Sequence, residues 1–114
     1  FEQGFDNAFW SGTFMVFGDA QPYAGALDIV AHELTHGVTE HTANLVYHDQ
    51  PGAMNEAMSD IFGQAVEART VGFADWLHGQ LLSGPRNLAD PSAEAICSGC
   101  PQYPSTIRIA GTIR

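Results

Sequence analysis

The stretch that decides the predicted fold is residues 26–42, which read ALDIVAHELTHGVTEHT. Apolar residues recur there at i, i+3, i+4, i+7 and i+11, the spacing of one helix face: Leu27, Val30, Ala31, Leu34 and Val38. At about 100° per residue, a mostly polar set falls on the opposite side: Ile29, His32, Glu33, His36 and Glu40. We therefore predict an amphipathic helix from about Ala26 to Thr42.

A second helix is predicted from about Ala53 to Thr70. Pro51-Gly52 precedes it and Gly72 follows it, as helix start and stop signals do. Its apolar stripe consists of Met54, Met58, Ile61, Phe62 and Ala65.

The segments on either side of the helices read differently. Residues 8–10 and 14–17 are apolar, strand-like runs separated by a Ser11-Gly12 turn, which predicts a β-hairpin. Residues 84–105 are rich in Pro, Ser, Gly, Ala and Asp and are predicted to be irregular. The sequence contains no internal repeat.

The motif with the clearest chemistry is His32-Glu33-Leu34-Thr35-His36. Histidines at i and i+4 lie one above the other, roughly 6 Å apart along a helix axis, so both imidazoles can reach one metal ion. Glu33 lies beside them without pointing as a ligand, and it can take a proton from water activated by zinc. The competing interpretation is an exposed polar face with two histidines there by chance.

A catalytic zinc site needs a third protein ligand, and the second helix offers one. Glu56 and Asp60 lie one turn apart on one face of that helix. Glu56 would complete a His, His, Glu set with the fourth position open for water. Asp60 would accept the far N–H of a ligating histidine. An ordinary solvated helix face is the alternative for this pair.

At these residues the sequence resembles the thermolysin family of zinc metallopeptidases. The similarity runs almost without gaps through residues 28–67, and it includes blocks 7–10 and 15–19. It implies an α+β, zincin-like core fragment: a short β-hairpin region, two long helices carrying the zinc site, then an irregular loop. The implied division is a partial peptidase core over residues 1–92, with its zinc site in 28–67, and a loop and tail over 93–114.

The resemblance also implies roles for individual residues. The zinc ligands are expected to be His32, His36 and Glu56. Glu33 corresponds to the general base of the family. Tyr47 corresponds to the tyrosine whose hydroxyl stabilises the oxyanion.

Further positions correspond to residues that support the ligands or bind substrate. Asp60 and Asn55 match the partners of the two zinc-ligating histidines. Asn7 and the backbone of Ala8 match groups that bind the substrate main chain. Arg86 matches the arginine that hydrogen-bonds substrate beside the S1′ pocket. Without the resemblance, Arg86 would be read as a surface cation and Tyr47 as a core tyrosine.

Structural calcium is a second metal implied by the resemblance. Asp28, Glu67 and Asp75 match acidic ligands of that site, and oxygen donors are what calcium requires. Two nearby acidic positions of the family are Leu77 and Gln80 here. One calcium ion, rather than two, is therefore the expectation.

The chain also departs from the family pattern. The amino-terminal β-rich region is mostly absent, and so is a downstream Gly-Gly-Val-His segment whose histidine helps to stabilise the tetrahedral intermediate. Residues 106–114 do not resemble the family. These departures predict an incomplete segment with little or no peptidase activity by itself.

Composition limits the kinds of partner. Thirteen acidic residues against four basic ones give a net charge of −9, which argues against binding to nucleic acid or to anionic membrane surfaces. No apolar run approaches the ~20 residues of a membrane helix. The peptide or protein substrates and the extracellular location are inferred from the resemblance.

Cys97 and Cys100 lie three residues apart in a segment of Pro, Ser and Gly. They could form a tight disulfide, half of a metal site or a redox pair. No second pair exists for a zinc ribbon, and no strand and helix flank the motif as a thioredoxin-like site requires. A disulfide is the favoured interpretation.

The predicted function is a zinc metalloendopeptidase that hydrolyses peptide bonds on the amino side of bulky apolar residues. The alternative is a folded zinc-binding remnant without catalytic activity. A purely structural zinc is disfavoured because such sites are usually closed and rich in cysteine.

Overall fold

The structure is a computed structural model that describes residues 3–90. Its elements in chain order are β1 (Ala8–Trp10), β2 (Met15–Phe17), a 3-10 turn (Tyr23–Gly25), α1 (Leu27–His41), α2 (Asp49–Val71), β3 (Leu77–His78) and β4 (Arg86–Asn87). The predicted α+β class, with a hairpin ahead of two helices, is confirmed. The cysteine pair and the tail after residue 92 lie outside the described residues.

The hairpin forms where the two apolar runs predicted it. β1 and β2 pair antiparallel with Ala8 opposite Phe17 and Trp10 opposite Met15. The turn is closed by the Ser11 N–H donating to the Phe14 carbonyl at 2.9 Å. The Ser11 hydroxyl also accepts the Phe14 N–H at 3.0 Å. The hairpin also contacts α1 through β1.

Helix α1 lies within one residue of its predicted limits. Its buried side is nevertheless the polar one: His32 and Glu33 are buried, whereas Leu34 is 52% and Val38 is 55% exposed. These two residues of the apolar stripe therefore do not face the other described elements, whereas Ala31 of the same stripe is buried. The polar side can be buried because its groups find hydrogen-bonding partners on α2.

Helix α2 begins at Asp49, four residues before the predicted start. Pro51 lies inside its first turn, where the missing N–H would have had no intrahelical partner. The helix ends at Val71, one residue after the predicted end, and Gly72 adopts a left-handed conformation with φ of 97°. Its apolar stripe is exposed, including Met58, Ile61 and Phe62.

The apolar core of the described residues is small. Tyr23, Ala26 and Ile29 form it, with Ala8, Phe17 and Leu82 packed against them. The larger contact is between the two helices. Neither helix has the length and apolar composition needed to cross a membrane.

A two-residue ladder, β3–β4, was not predicted. It pairs His78 directly opposite Arg86. Residues directly opposite each other in an antiparallel pair project to the same face of the sheet. The ladder therefore directs both side chains toward the polar side of the helix pair.

Candidate metal centre and cleft

Three donor groups converge between the two helices. The Nε2 atoms of His32 and His36 lie 3.0 Å apart. The Glu56 carboxylate places one oxygen 3.2 Å from His32 Nε2 and the other 3.3 Å from His36 Nε2. Two imidazole nitrogens and one carboxylate oxygen form the donor set of many catalytic zinc sites. These residues fit a zinc ion, as the spacing in the sequence predicted.

Mutual interaction among the three groups is visible in their pKa values. Burial disfavours the charged form of His32, but hydrogen bonds to Asp60 and Glu56 outweigh burial and raise its pKa to about 9. The pKa of His36 is also raised, because hydrogen bonds to Glu56 and Asn55 overcome burial. Burial opposes ionisation of Glu56, yet hydrogen bonds from the two histidines and Tyr47 lower its pKa. In the absence of metal, the two histidines and Glu56 therefore share a proton through these hydrogen bonds.

Polar side chains of α2 orient both histidines. The Asp60 carboxylate lies 2.8 Å from His32 Nδ1. The Asn55 side-chain oxygen lies 2.7 Å from His36 Nδ1. The Ser59 hydroxyl lies 3.2 Å from the same atom. The first two contacts are those expected from the sequence, whereas Ser59 was missed because nothing distinguishes it from an ordinary helix serine.

Glu33 is buried at the edge of the metal centre. Burial raises the pKa of its carboxyl, and the charges of His32 and His36 only partly offset this effect. A carboxylate with a raised pKa is suited to accept a proton near neutral pH. Glu33 lines the same cleft as the three donors.

Tyr47 lies in the connection between the helices, with its ring edge-on to His36 at a centroid distance of 6.0 Å. Its hydroxyl donates a hydrogen bond to Glu56. Burial and that hydrogen bond raise its pKa to about 12, so the hydroxyl remains a donor at neutral pH. The side chain as a whole is largely exposed.

The metal centre opens into a cleft of about 840 Å³. Its lining includes Asn7, which precedes β1, Ala8 and Trp10 of β1, and Arg86 of β4. The Asn7 side-chain oxygen accepts the Ala8 N–H at 2.9 Å. The Arg86 guanidinium donates to Asp60 at 2.7 Å. All the predicted substrate-contacting residues therefore line one cleft.

His78 is a site residue that the sequence analysis missed. It lies in β3, it is 2% exposed, and its ring is 5.1 Å from that of His32. Burial lowers its pKa to about 4, so the imidazole is neutral at pH 7. No periodic pattern marks this histidine, because it lies in the irregular region after Gly72.

The three predicted calcium ligands lie near one another but are bound to other groups. Burial and the neighbouring charges of Asp28 and Asp75 raise the pKa of Glu67. The side-chain amide nitrogen of Gln64 contacts Asp28 at 3.5 Å and Glu67 at 3.4 Å. Within residues 3–90, these three carboxylates do not come together at metal-ligand spacing. A calcium ion there stays a prediction.

Comparison with known proteins places this geometry in a family. Residues 1–40 match a family profile described as the thermolysin metallopeptidase catalytic domain. Residues 43–107, more than half of the chain, match the profile of the alpha-helical domain of the same family. The chain belongs to the thermolysin metallopeptidase family. The resemblance found in the sequence is thereby confirmed.

Individual members of the family are similar over much of this chain. Thermolysin of Alicyclobacillus acidocaldarius subsp. acidocaldarius is 45% identical over 102 residues, covering 79% of this chain and 19% of that protein. An extracellular metalloprotease of Pectobacterium carotovorum subsp. carotovorum is 49% identical over 89 residues, covering 70% of this chain and 26% of that protein.

A solved structure shows the same fold. The precursor of protealysin, a metalloproteinase from Serratia proteamaculans, superposes with a TM-score of 0.78 at 35% identity, covering 93% of this chain and 38% of that one. This chain spans about a fifth of the length of the thermolysin from Alicyclobacillus acidocaldarius subsp. acidocaldarius.

Proposed function

We propose that this chain carries the zinc-binding and catalytic centre of a metalloendopeptidase. The observation that supports the proposal is the convergence of His32, His36 and Glu56 in one cleft, with the buried Glu33 carboxylate beside them. Neither helix contains the whole set, so their packing is what creates the site.

The chemistry divides between the metal and the residues of the chain. A zinc ion held by His32, His36 and Glu56 would supply Lewis acidity and a lowered pKa for water. Glu33 accepts the proton of the attacking water and later donates it to the leaving amine. The raised pKa of Glu33 favours both steps, since the carboxyl can hold the proton between them.

Residues of the cleft complete the proposed reaction. Tyr47 donates its hydroxyl hydrogen to the developing oxyanion, a role that its raised pKa permits. Asn7 and the backbone of Ala8 hold the substrate main chain along β1. Arg86 presents its guanidinium to the substrate while Asp60 anchors it at 2.7 Å.

The substrate and location follow the family. We propose peptide or protein substrates cleaved on the amino side of bulky apolar residues. We also propose secretion, in line with the name of the extracellular relative from Pectobacterium. The structural calcium implied by the resemblance belongs to the same proposal.

The deciding experiment is Glu33→Gln in the full-length protein. We expect bound zinc to be retained and turnover of an apolar peptide to fall by roughly 10²–10⁴, the usual contribution of a general base. Asp49→Asn is the matched control, because Asp49 is an exposed carboxylate whose partner is His48, and it does not line the cleft.

Three outcomes would contradict the proposal in different ways. Loss of zinc in Glu33→Gln would make Glu33 a ligand. Unchanged turnover would remove it as the base. A native protein that binds zinc through His32 but cleaves no peptide would favour the inactive zinc-binding remnant.

A further inference from the structure

The buried histidine of β3 lies between two carboxylates. His78 Nε2 is 3.5 Å from Asp60 Oδ1, and His78 Nδ1 is 3.6 Å from Asp28 Oδ2. Neither ring nitrogen makes a hydrogen bond of ordinary geometry within residues 3–90. Burying such an imidazole is less favourable than burying an apolar side chain of similar size. Packing alone therefore does not explain a histidine at this position.

Asp60 is where the surrounding contacts meet. Its Oδ1 atom lies 2.8 Å from His32 Nδ1, 2.7 Å from the Arg86 guanidinium and 3.5 Å from His78 Nε2. His78 and Arg86 reach this oxygen together because they are directly opposite each other in the β3–β4 ladder. The short ladder thus places His78 and Arg86 beside the Asp60 carboxylate, which in turn orients the metal ligand His32.

A second metal ion offers another explanation, because His32, Asp60 and His78 lie at metal-ligand spacing. The Arg86 guanidinium argues against it, since it already occupies the shared Asp60 oxygen and would repel a cation there. A hydrogen-bonded cluster fits these charges better than a cation does.

The geometry points to His78 as a positioning residue for the metal centre. We propose that its Nε2–H donates to Asp60 Oδ1 and holds that carboxylate against His32 Nδ1, which strengthens metal binding by His32. A neutral imidazole has a single N–H, and the shorter of its two carboxylate contacts is the 3.5 Å one to Asp60, against 3.6 Å to Asp28. Donation toward Asp60 is therefore the tautomer proposed. The inference rests on the proposed zinc site.

Three substitutions separate this role from simple packing. In His78→Gln the side-chain amide nitrogen can reach roughly the place of Nε2, whereas in His78→Asn it lies near that of Nδ1. His78→Leu fills the space without any donor. Losing a direct partner of a metal ligand typically changes metal affinity by 10–100-fold, and because His78 acts one contact further out, through Asp60, the lower end of that range is expected. We expect the Leu and Asn variants to lose about that much zinc affinity, and the Gln variant to stay within about threefold of native.

The measurement is zinc affinity by chelator competition in the full-length protein, together with the absorption spectrum of the cobalt(II)-substituted form. We expect the Leu and Asn spectra to differ from native and the Gln spectrum to match it. Equal zinc affinity of native and Leu proteins would overturn the inference. An equal loss of zinc affinity in the Gln and Asn variants would also overturn the inference.

The same variants distinguish the role of His78 from the proposed peptidase function. If the Leu variant does not fold, the comparison of Gln with Asn still decides the outcome. None of these readouts requires peptide hydrolysis. A protein that shows the expected order of zinc affinities but no cleavage would therefore overturn the peptidase proposal and support the role of His78.

Discussion

Replacing Gly63 by alanine tests the packing on which the metal centre depends. Gly63 lies inside α2, facing the first turn of α1. A Cβ at this position would lie 2.7 Å from the Asp28 backbone oxygen and 3.2 Å from His78 Cε1. A backbone oxygen cannot rotate away as a side chain can, so the two helices must separate.

The size of the effect follows from two opposing contributions. Alanine favours a helix over glycine by about 0.8–1.0 kcal/mol. Overpacking a close contact costs about 1–3 kcal/mol. The contact is about 0.7 Å inside the 3.4 Å at which ordinary contact begins, so overpacking should win. We expect Gly63→Ala to lower the free energy of unfolding by about 1 kcal/mol.

The same displacement should reach the metal centre. His32 and Glu56 lie on different helices, so a shift between the helices changes the distance between their donor atoms. Metal–ligand distances tolerate changes of only about ±0.2 Å. We therefore expect zinc affinity to fall about tenfold, as when a supporting contact is lost.

The assay is chemical denaturation of the metal-free full-length protein, followed by zinc competition with a chelator. Gly84→Ala is the control, because a Cβ at Gly84 meets no atom within 4 Å. The control should be unchanged or slightly more stable, since alanine reduces the freedom of the unfolded chain. If Gly63→Ala is more stable than native and binds zinc equally well, the close approach of Asp28 to Gly63 is not present.

Three further predictions concern the site itself. The pKa of His32 is raised to about 9 without metal, so zinc must displace a proton from this imidazole. Zinc affinity should therefore rise with pH above 6.5 and level off near pH 9. A plateau of affinity already at pH 7 in competition titrations would contradict this. The sign for stability is opposite: protonated His32 stabilises the metal-free fold below pH 6.5, and that contribution is lost as pH rises through 9. Tyr47→Phe should keep zinc but lower kcat on an apolar peptide by on the order of 10²–10³, and an unchanged kcat would exclude Tyr47 as an oxyanion donor. Removing calcium with a chelator that spares zinc should lower the melting temperature through Asp28, Glu67 and Asp75, and an identical melting curve would remove the calcium site.

The sequence by itself determined the parts of the site that depend on local geometry. The i, i+4 spacing of His32 and His36 places both imidazoles on one helix face, whatever the rest of the chain does. The same rule places Glu56 and Asp60 together on α2. The hairpin was also predictable, because its turn is closed by bonds between residues three apart. The roles of these residues stay predictions until the variants are measured.

Only the tertiary structure decided which helix faces are buried. Leu34 and Ile61 of the apolar stripes are exposed, because the polar faces of α1 and α2 bond to each other. A hydrophobic pattern identifies two sides of a helix, but the partner that each side contacts depends on the rest of the fold. The sequence also could not fix the start of α2. Pro51 is compatible with the first turn of a helix as well as with a preceding loop.

The contacts of His78 could not be found without the fold. Asp28 and the Gly79 N–H that it binds are 51 residues apart, and His78 is brought to Asp60 by a ladder of only two residue pairs. So short a ladder leaves almost no periodic pattern in the sequence, because alternation needs about four residues to be recognised. His78 joins the site because the chain folds back after α2, and that return depends on long-range contacts.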